Sequence, residues 1–214
     1  MAKIIIEVGA NDGNDTMKYI SNEDTFLYTF EPVPVMADFV ISKLNNAEYK
    51  NYKLLRYAVS DREGLQQFNL SDPGGNYACS SLNEFSDDIH EKWPGRADFV
   101  KTSTIDVQTI RLDTFIEQEN ISEIEFLHID AQGSDLKVLQ SLGDKAGVVK
   151  AGRCEASNTV ELYKGVDNNV YSIMKWLNLN GFFIKQLYNH YGQPIIIDEL
   201  PNSTEEVDIH FEKI

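Results

Sequence analysis

This chain is short of cysteine, of basic residues and of long apolar runs. Its 214 residues hold two cysteines, Cys79 and Cys154, with no paired spacing. That argues against a disulfide framework or a zinc motif. Nineteen Lys and Arg face 34 Asp and Glu, a net charge of −15. A field of that sign repels nucleic acid and anionic membranes, so neither is expected as a partner. No apolar run approaches the roughly 20 residues that span a bilayer, and no secretory leader is visible. Membrane insertion is therefore not expected, and a reducing, cytoplasmic location is. The chain is long enough for one sizeable domain with its own core. Its first strand-like run starts within a few residues of Met1, so a minimal enzyme and a domain cut from a larger multidomain polypeptide both stand as readings.

One further absence concerns a single turn. The run Ile4-Ile5-Ile6-Glu7-Val8 leads into Gly9-Ala10-Asn11-Asp12-Gly13-Asn14. A β-branched strand followed by a glycine turn and a helix is how an open α/β sheet presents a nucleotide-like ligand to a helix start. The turn has glycine only at its ends. A pyrophosphate cofactor usually wants another inside, so that the backbone closes on the phosphates. Asn11 stands there instead, followed by Asp12 and, further on, Asp15. An acidic loop suits a cationic cofactor without phosphate, and S-adenosylmethionine, a sulfonium, meets that description.

Strand-like and helix-like stretches alternate along the chain, which predicts an α/β fold with a largely parallel sheet. Strands are expected at Lys3 to Val8, Thr25 to Phe30, Tyr52 to Val59, Ile124 to Ile129, Gly147 to Glu155 and Phe182 to Leu187, with Val207 to Phe211 as a half-buried antiparallel strand. Gln66 to Leu70 and Asp106 to Leu112 read as extended segments, compatible with a hairpin. Helices are expected at Asp15 to Ser21, Met36 to Leu44, Asp113 to Gln118, Ser134 to Leu142 and Asn169 to Leu179. Residues 71–103 break this rhythm with Pro73-Gly74-Gly75, Pro94-Gly95 and scattered aromatics. A connection of that length is usually functional or disordered. It reads as a variable lid or acceptor-binding segment within a single domain spanning 1–214.

The first four strands end in polar groups: Glu7, Glu31, Ser60-Asp61 and Asp130. Ligands of open α/β sheets bind at the carboxyl ends of strands, so these endings should converge. Glu31, about 20 residues after the glycine turn begins, is placed to accept both hydroxyls of a ribose. Asp61 reads equally as an acceptor for an adenine amino group and as a turn residue.

The ordered set Glu7-Val8-Gly9-Ala10-Asn11-Asp12-Gly13, Phe30-Glu31-Pro32, Ala58-Val59-Ser60-Asp61, Leu112-Asp113-Thr114-Phe115 and Phe126-Leu127-His128-Ile129-Asp130-Ala131-Gln132-Gly133 resembles the FkbM-type S-adenosylmethionine-dependent methyltransferases. The resemblance continues through Glu155, Leu162-Tyr163-Lys164-Gly165, Gly181-Phe182 and the strand holding Asp208. It covers nearly the whole chain apart from 71–103. It implies a Rossmann-like class I methyltransferase fold: a seven-stranded, mainly parallel sheet with one antiparallel strand and helices on both faces. It implies O-methylation of a hydroxyl, on a sugar, glycan or secondary metabolite. By the same resemblance Glu7, Gly9, Asn11 and Gly13 form the methionine and ribose turn, Glu31 holds the ribose, Ser60 and Asp61 the adenine, and Asp130 lies beside the sulfonium. The chain departs from the family at His128, where Lys is usual, and carries Gln132 where Glu is frequent.

An alcohol needs a base to take its proton as the methyl group arrives. His128 and Asp130 are the leading candidates; residues 128 and 130 point to the same side of a strand, so His128 reads equally as reaching towards the cleft beside Asp130 and as a satisfied histidine buried under the sheet. His90 and His190 follow, each with an exposed loop as the simpler reading. Asp130, Glu155 and Asn158 are candidate oxygen ligands for Mg²⁺ or Mn²⁺, without a local motif behind them. Two other functions stay open: an NAD(P)-dependent oxidoreductase, which the missing inner glycine disfavours, and a catalytically silent domain that binds S-adenosylmethionine.

Overall fold

The computed structural model describes residues 2–158, 161–189, 191–196 and 206–214, with only the backbone of Pro73. In chain order the elements are β1 (Lys3–Val8), α1 (Asn14–Ile20), β2 (Thr25–Phe30), α2 (Pro34–Asn46), β3 (Tyr52–Leu55), β4 (Ala58–Val59), β5 (Gly64–Leu70), α3 (Ile89–Lys92), β6 (Ser103–Ile110), α4 (Leu112–Gln118), β7 (Phe126–Ile129), α5 (Asp135–Gln140), β8 (Ala151–Ser157), α6 (Val170–Leu179), β9 (Phe182–Asn189), β10 (Pro194–Ile195) and β11 (Glu206–Lys213). No helix among the described residues is long and apolar enough to cross a membrane.

The main sheet runs β10-β9-β11-β8-β7-β1-β2-β3. Strands β8, β7, β1, β2 and β3 are mutually parallel, and β11 inserts antiparallel between β8 and β9. The α/β architecture is the expected one, but the sheet has eight strands rather than seven. The eighth is β10, a two-residue strand that folds back on β9, with Ile195 opposite Leu187.

The expected third strand is divided. Its first half is β3 in the main sheet. The chain then turns at Arg56-Tyr57, and β4 pairs instead with β6 in a separate sheet ordered β4-β6-β5. The pair β5 and β6 is antiparallel, with Gly64 opposite Thr109 and Leu70 opposite Ser103. Residues 71–102 are thus a long excursion between two paired strands.

Alternation along β1 sorts its side chains. Ile6 and Val8 join Phe30, Leu127, Ile129 and Cys154 in the largest core cluster, together with Phe115 of α4, Leu139 of α5 and Ile173 of α6. Ile5 and Leu27 pack with Ile20 of α1 and with Val40 and Leu44 of α2 in a second cluster. Helices therefore cover both faces. The strand ends at Val8, Phe30 and Ile129 are held in register by β1's parallel pairing with β2 and β7.

Two close approaches fix the turn after β1. Gly9 has φ +90, and a Cβ there would lie 2.0 Å from the carbonyl oxygen of Asp130. Gly13 has φ +74 and abuts Val40 of α2. Only glycine meets both the left-handed backbone and the contact at Gly9.

Candidate active site

A cavity opens where β1, β2 and β7 end. Val8, Gly9 and Asn11 line it from the first turn, Glu31 to Val33 from the second, and Asp130 to Gln132 with Ser134 from the fourth expected ending. Tyr57, Ala58, Val59 and Phe68 add an apolar wall, and Ala78, Ser80 and Leu82 close it from the 71–102 excursion.

Glu31 organises this cavity. Its Oε2 accepts the Asn11 amide at 2.7 Å and its Oε1 accepts the Val33 amide at 2.8 Å. One carboxylate thus ties the glycine turn to the start of α2 and still lines the hollow. It is 4% exposed, and burial lifts its carboxyl to about 7 against the pull of those two amides. Each oxygen keeps acceptor capacity for a further donor. Asn11 takes φ +43, and its Oδ1 is buried without a partner. A buried oxygen left unpaired beside an acidic anchor invites a ligand donor.

Asp130 sits at the end of β7. Gln132 donates from Nε2 to its Oδ1 at 2.7 Å, and Tyr163 donates its hydroxyl to Gln132 Oε1 at 2.8 Å. Burial is the main cause that raises the Asp130 carboxyl above its usual range, opposed by the Gln132 hydrogen bond and the Arg153 charge. Gln132 itself has φ +47, and a Cβ on Gly133 would run into the Tyr163 ring.

Glu7 and His128 lie elsewhere. In the sheet register Thr29, Glu7, His128 and Arg153 form one transverse row. That row faces α1 rather than the cavity. Glu7 is fully buried, and its Oε2 accepts the hydroxyls of Thr16 and Thr29, each at 2.6 Å. Its Oε1 has no hydrogen bond, and lies 3.9 Å from His128 Nδ1. Burial lifts Glu7 to about 7 and, with the Arg153 charge, pushes His128 down to about 3. His128 is 3% exposed and packs beside Tyr19 at 5.5 Å between rings. A neutral histidine closed off by α1 is not within the cavity, so the expectation that it reaches the cleft beside Asp130 is corrected.

The adenine pair is also displaced. Because β4 leaves the main sheet, the cavity wall stops at Val59. Ser60 is buried, its amide donates to Ile110 and its hydroxyl donates to Asp61 Oδ1 at 3.1 Å. The Asp61 carbonyl accepts from Arg111. Gly13 serves as the cap before α1 and does not line the cavity. His90 is exposed on α3, and His190 lies outside the described residues.

The three candidate metal ligands are spread over three hollows. Asp130 lines the central cavity, Glu155 a neighbouring one, and Asn158 a third with Glu161 and Asn168. Among the described residues no group of three or more His, Cys, Asp or Glu is arranged to hold a metal ion.

Several wall residues were not singled out from the sequence: Tyr57, Phe68, Leu82 and Ser134. A signal existed for Phe68, an aromatic near the buried end of Gly64–Leu70. Arg153 was missed too, although a charged residue between Gly152 and Cys154 in an apolar strand marks a buried ionic group. Arg153 pairs with Asp15 of α1.

An open, mostly parallel sheet with an acidic second-strand ending and a hollow at its switch point is a Rossmann-like architecture for a nucleoside-bearing ligand. The model of the methyltransferase FkbM domain matches residues 7–184, and the chain belongs to that family. The matched domain is a methyltransferase domain, and S-adenosylmethionine is the cofactor that goes with it. The chain is 26% identical over 141 residues to the 2-O-methyltransferase NoeI of Sinorhizobium fredii (strain NBRC 101917 / NGR234), a match covering 64% of this chain and 56% of the relative. It therefore spans little more than half the length of that relative. Among solved structures, an rRNA methylase from Streptococcus thermophilus superposes with a TM-score of 0.52 at 11% identity, covering 100% of this chain and 87% of the other. TrmK of M. capricolum, in complex with the cofactor product S-adenosylhomocysteine, gives 0.53 at 9% identity, covering 99% and 62%. These two likenesses concern the fold.

The residues present fit the cofactor. Glu31 is a buried acceptor on the cavity wall, Asn11 Oδ1 is an orphaned acceptor on the turn, and Tyr57, Val59, Phe68 and Leu82 offer an apolar slot for a flat base.

Proposed function

We propose that the chain methylates a hydroxyl oxygen of an uncharged small molecule, a saccharide or similar polyol, as one methyltransferase domain whose 71–103 segment binds the acceptor. The observation that carries this reading is the placement of Asp130. Its carboxyl stands on the wall of the cofactor cavity, linked through Gln132 to Tyr163 and so to the excursion that walls the neighbouring hollow. When bound, the cofactor supplies an electrophilic methyl group. Glu31 would hold its ribose and Asn11 the adjacent turn. Asp130 would orient the acceptor hydroxyl and take its proton, and the burial that raises its pKa makes the ionised carboxylate a stronger base. The name of the curated relative, a 2-O-methyltransferase, supports oxygen as the acceptor atom.

A second reading, methylation of RNA, draws on the rRNA methylase among the structural neighbours. The net charge of −15 opposes it, because RNA affinity rests on neutralising phosphates. The test supplies S-adenosylmethionine with a panel of methyl glycosides and, separately, with total RNA, and follows the methyl group by mass. Methylated glycoside is the expected result. Methyl transfer to RNA alone would overturn the acceptor assignment, and calorimetric binding of NAD without S-adenosylhomocysteine would overturn the cofactor assignment with it.

A further inference from the structure

Beside the cofactor cavity lies a second hollow, and Ala78 and Gln132 line both. Its other walls include Trp93, Arg96, Asp98 and Phe99 of the excursion and Glu155 of β8. Three features give it a chemical character. Trp93 is only 7% exposed, yet its indole Nε1 has no hydrogen-bond partner. A buried N–H in that state is costly, and an incoming oxygen would relieve it. Arg96 is already engaged: it donates to both Asp98 oxygens, at 2.9 and 2.8 Å, and its guanidinium lies 4.1 Å over the Phe99 ring. Asp98 keeps acceptor capacity beyond those bonds and one from the Cys79 thiol at 3.3 Å. Glu155 and Glu206 add two more carboxyl groups to the lining.

An aromatic floor, an unpaired indole donor and carboxylate acceptors suit a ring with apolar faces and hydroxyl edges. They do not suit a phosphorylated ligand, since the guanidinium is committed to Asp98 and, among the described residues, no other Lys or Arg lines the hollow. We propose that this hollow is the acceptor subsite and that it takes an uncharged, hydroxyl-rich ring, with the Trp93 indole donating to a ring or hydroxyl oxygen and Asp98 and Glu155 accepting from hydroxyls. The assignment rests on the methyltransferase reading above and adds to it the residues that select the acceptor. Gln132 is the wall shared with the cofactor cavity, so a hydroxyl presented there stands beside Asp130. The fused placement also explains why the excursion is stitched to the β7 ending, with the Ser81 hydroxyl donating to the Gln132 carbonyl and Asn83 to Ser134.

The test is calorimetry on the full chain saturated with S-adenosylhomocysteine. The probes are neutral methyl hexopyranosides, glucose 6-phosphate and a short RNA oligonucleotide. At least one neutral glycoside should bind, with glucose 6-phosphate at least about tenfold weaker. Trp93→Phe keeps the ring and removes only the N–H, and should weaken glycoside binding about fivefold, as one hydrogen bond commands. Asp98→Asn should weaken it about tenfold or more. Both variants should hold S-adenosylhomocysteine within about twofold of wild type. Wild-type glycoside affinity in Trp93→Phe and Asp98→Asn alike would overturn the subsite, as would tighter binding of either phosphorylated probe. Binding of S-adenosylhomocysteine with no glycoside bound would overturn the subsite alone. Failure of the wild type to bind S-adenosylhomocysteine would overturn the methyltransferase reading with it.

Discussion

Two buried glutamates, Glu7 and Glu31, end adjacent parallel strands, and both are lifted to about 7 by burial. Their surroundings differ. Glu7 lies inside β1 and points towards α1, where two threonine hydroxyls satisfy one of its oxygens. Glu31 lies one residue beyond β2, accepts two backbone amides and borders the cavity. Two positions of difference relative to the strand end separate a carboxylate that fastens a helix from one that can meet a ligand. Titration behaviour alone would not tell them apart. The same contrast separates His128 from Asp130, two residues apart on β7 and its continuation.

The largest effect should come from Asp130. Asp130→Asn should lower kcat by about 10²–10⁴-fold, the range for a lost general base, with cofactor affinity changed far less. A kcat within about tenfold of wild type would take the proton-accepting role from Asp130. Gly9→Ala should follow, because its Cβ would meet the Asp130 carbonyl at 2.0 Å with the backbone already at φ +90. A loss of about 3 kcal/mol or more is expected, read as a fall in the denaturation midpoint; a wild-type midpoint would show that the turn has other room. His128→Asn should cost roughly 1–3 kcal/mol of stability as a buried polar replacement while kcat stays within about threefold. A large kcat loss at preserved cofactor affinity would move His128 back to catalysis and erase the contrast between the two β7 residues.

The smallest effect is in pH. A carboxyl raised from 4.5 to about 7 by burial holds a proton that the unfolded chain releases. Its contribution to stability is full below about 4.5 and lost as pH rises through about 7. The same groups diverge when cofactor binds. Ribose hydroxyls donating to Glu31 favour its ionised form, so affinity should rise with pH up to about 7 and then level, by at most about tenfold per unit. Glu7 makes no such contribution. Calorimetry in buffers of different ionisation enthalpy reads the released proton near pH 6; no proton release would argue that Glu31 does not receive the ribose.

Much of the architecture was legible because it is local. The β-branched run at Ile4 to Val8, the largely apolar run at Phe126 to Ile129 and the apolar spacing of Leu136 and Leu139 declare strand and helix without partners. Glu31-Pro32 declared a strand ending, and the ending proved to border the cavity. What was not legible depends on distant pairing. Ala58-Val59 reads as a continuation of β3, and only the pairing with Thr109-Ile110 draws it into another sheet. That switch carried Ser60 and Asp61 off the cavity wall and brought Tyr57 and Phe68 onto it. The hairpin of Pro194-Ile195 with β9 is too short to signal itself. His128 was misplaced because strand parity gives a side and says nothing of what covers it; Tyr19 and Asp15 of α1 do the covering.

The most direct measurement of the central claim is a side-by-side calorimetric titration of S-adenosylhomocysteine into the wild type, Glu31→Gln and Glu7→Gln at pH 8. Glu31→Gln removes the charge that strengthens the ribose hydrogen bonds and should weaken binding on the order of 100-fold. Glu7→Gln should stay within about threefold of wild type, with the threonine hydroxyls still accepted by the amide oxygen. Equal losses in both variants, or a loss confined to Glu7→Gln, would contradict the account.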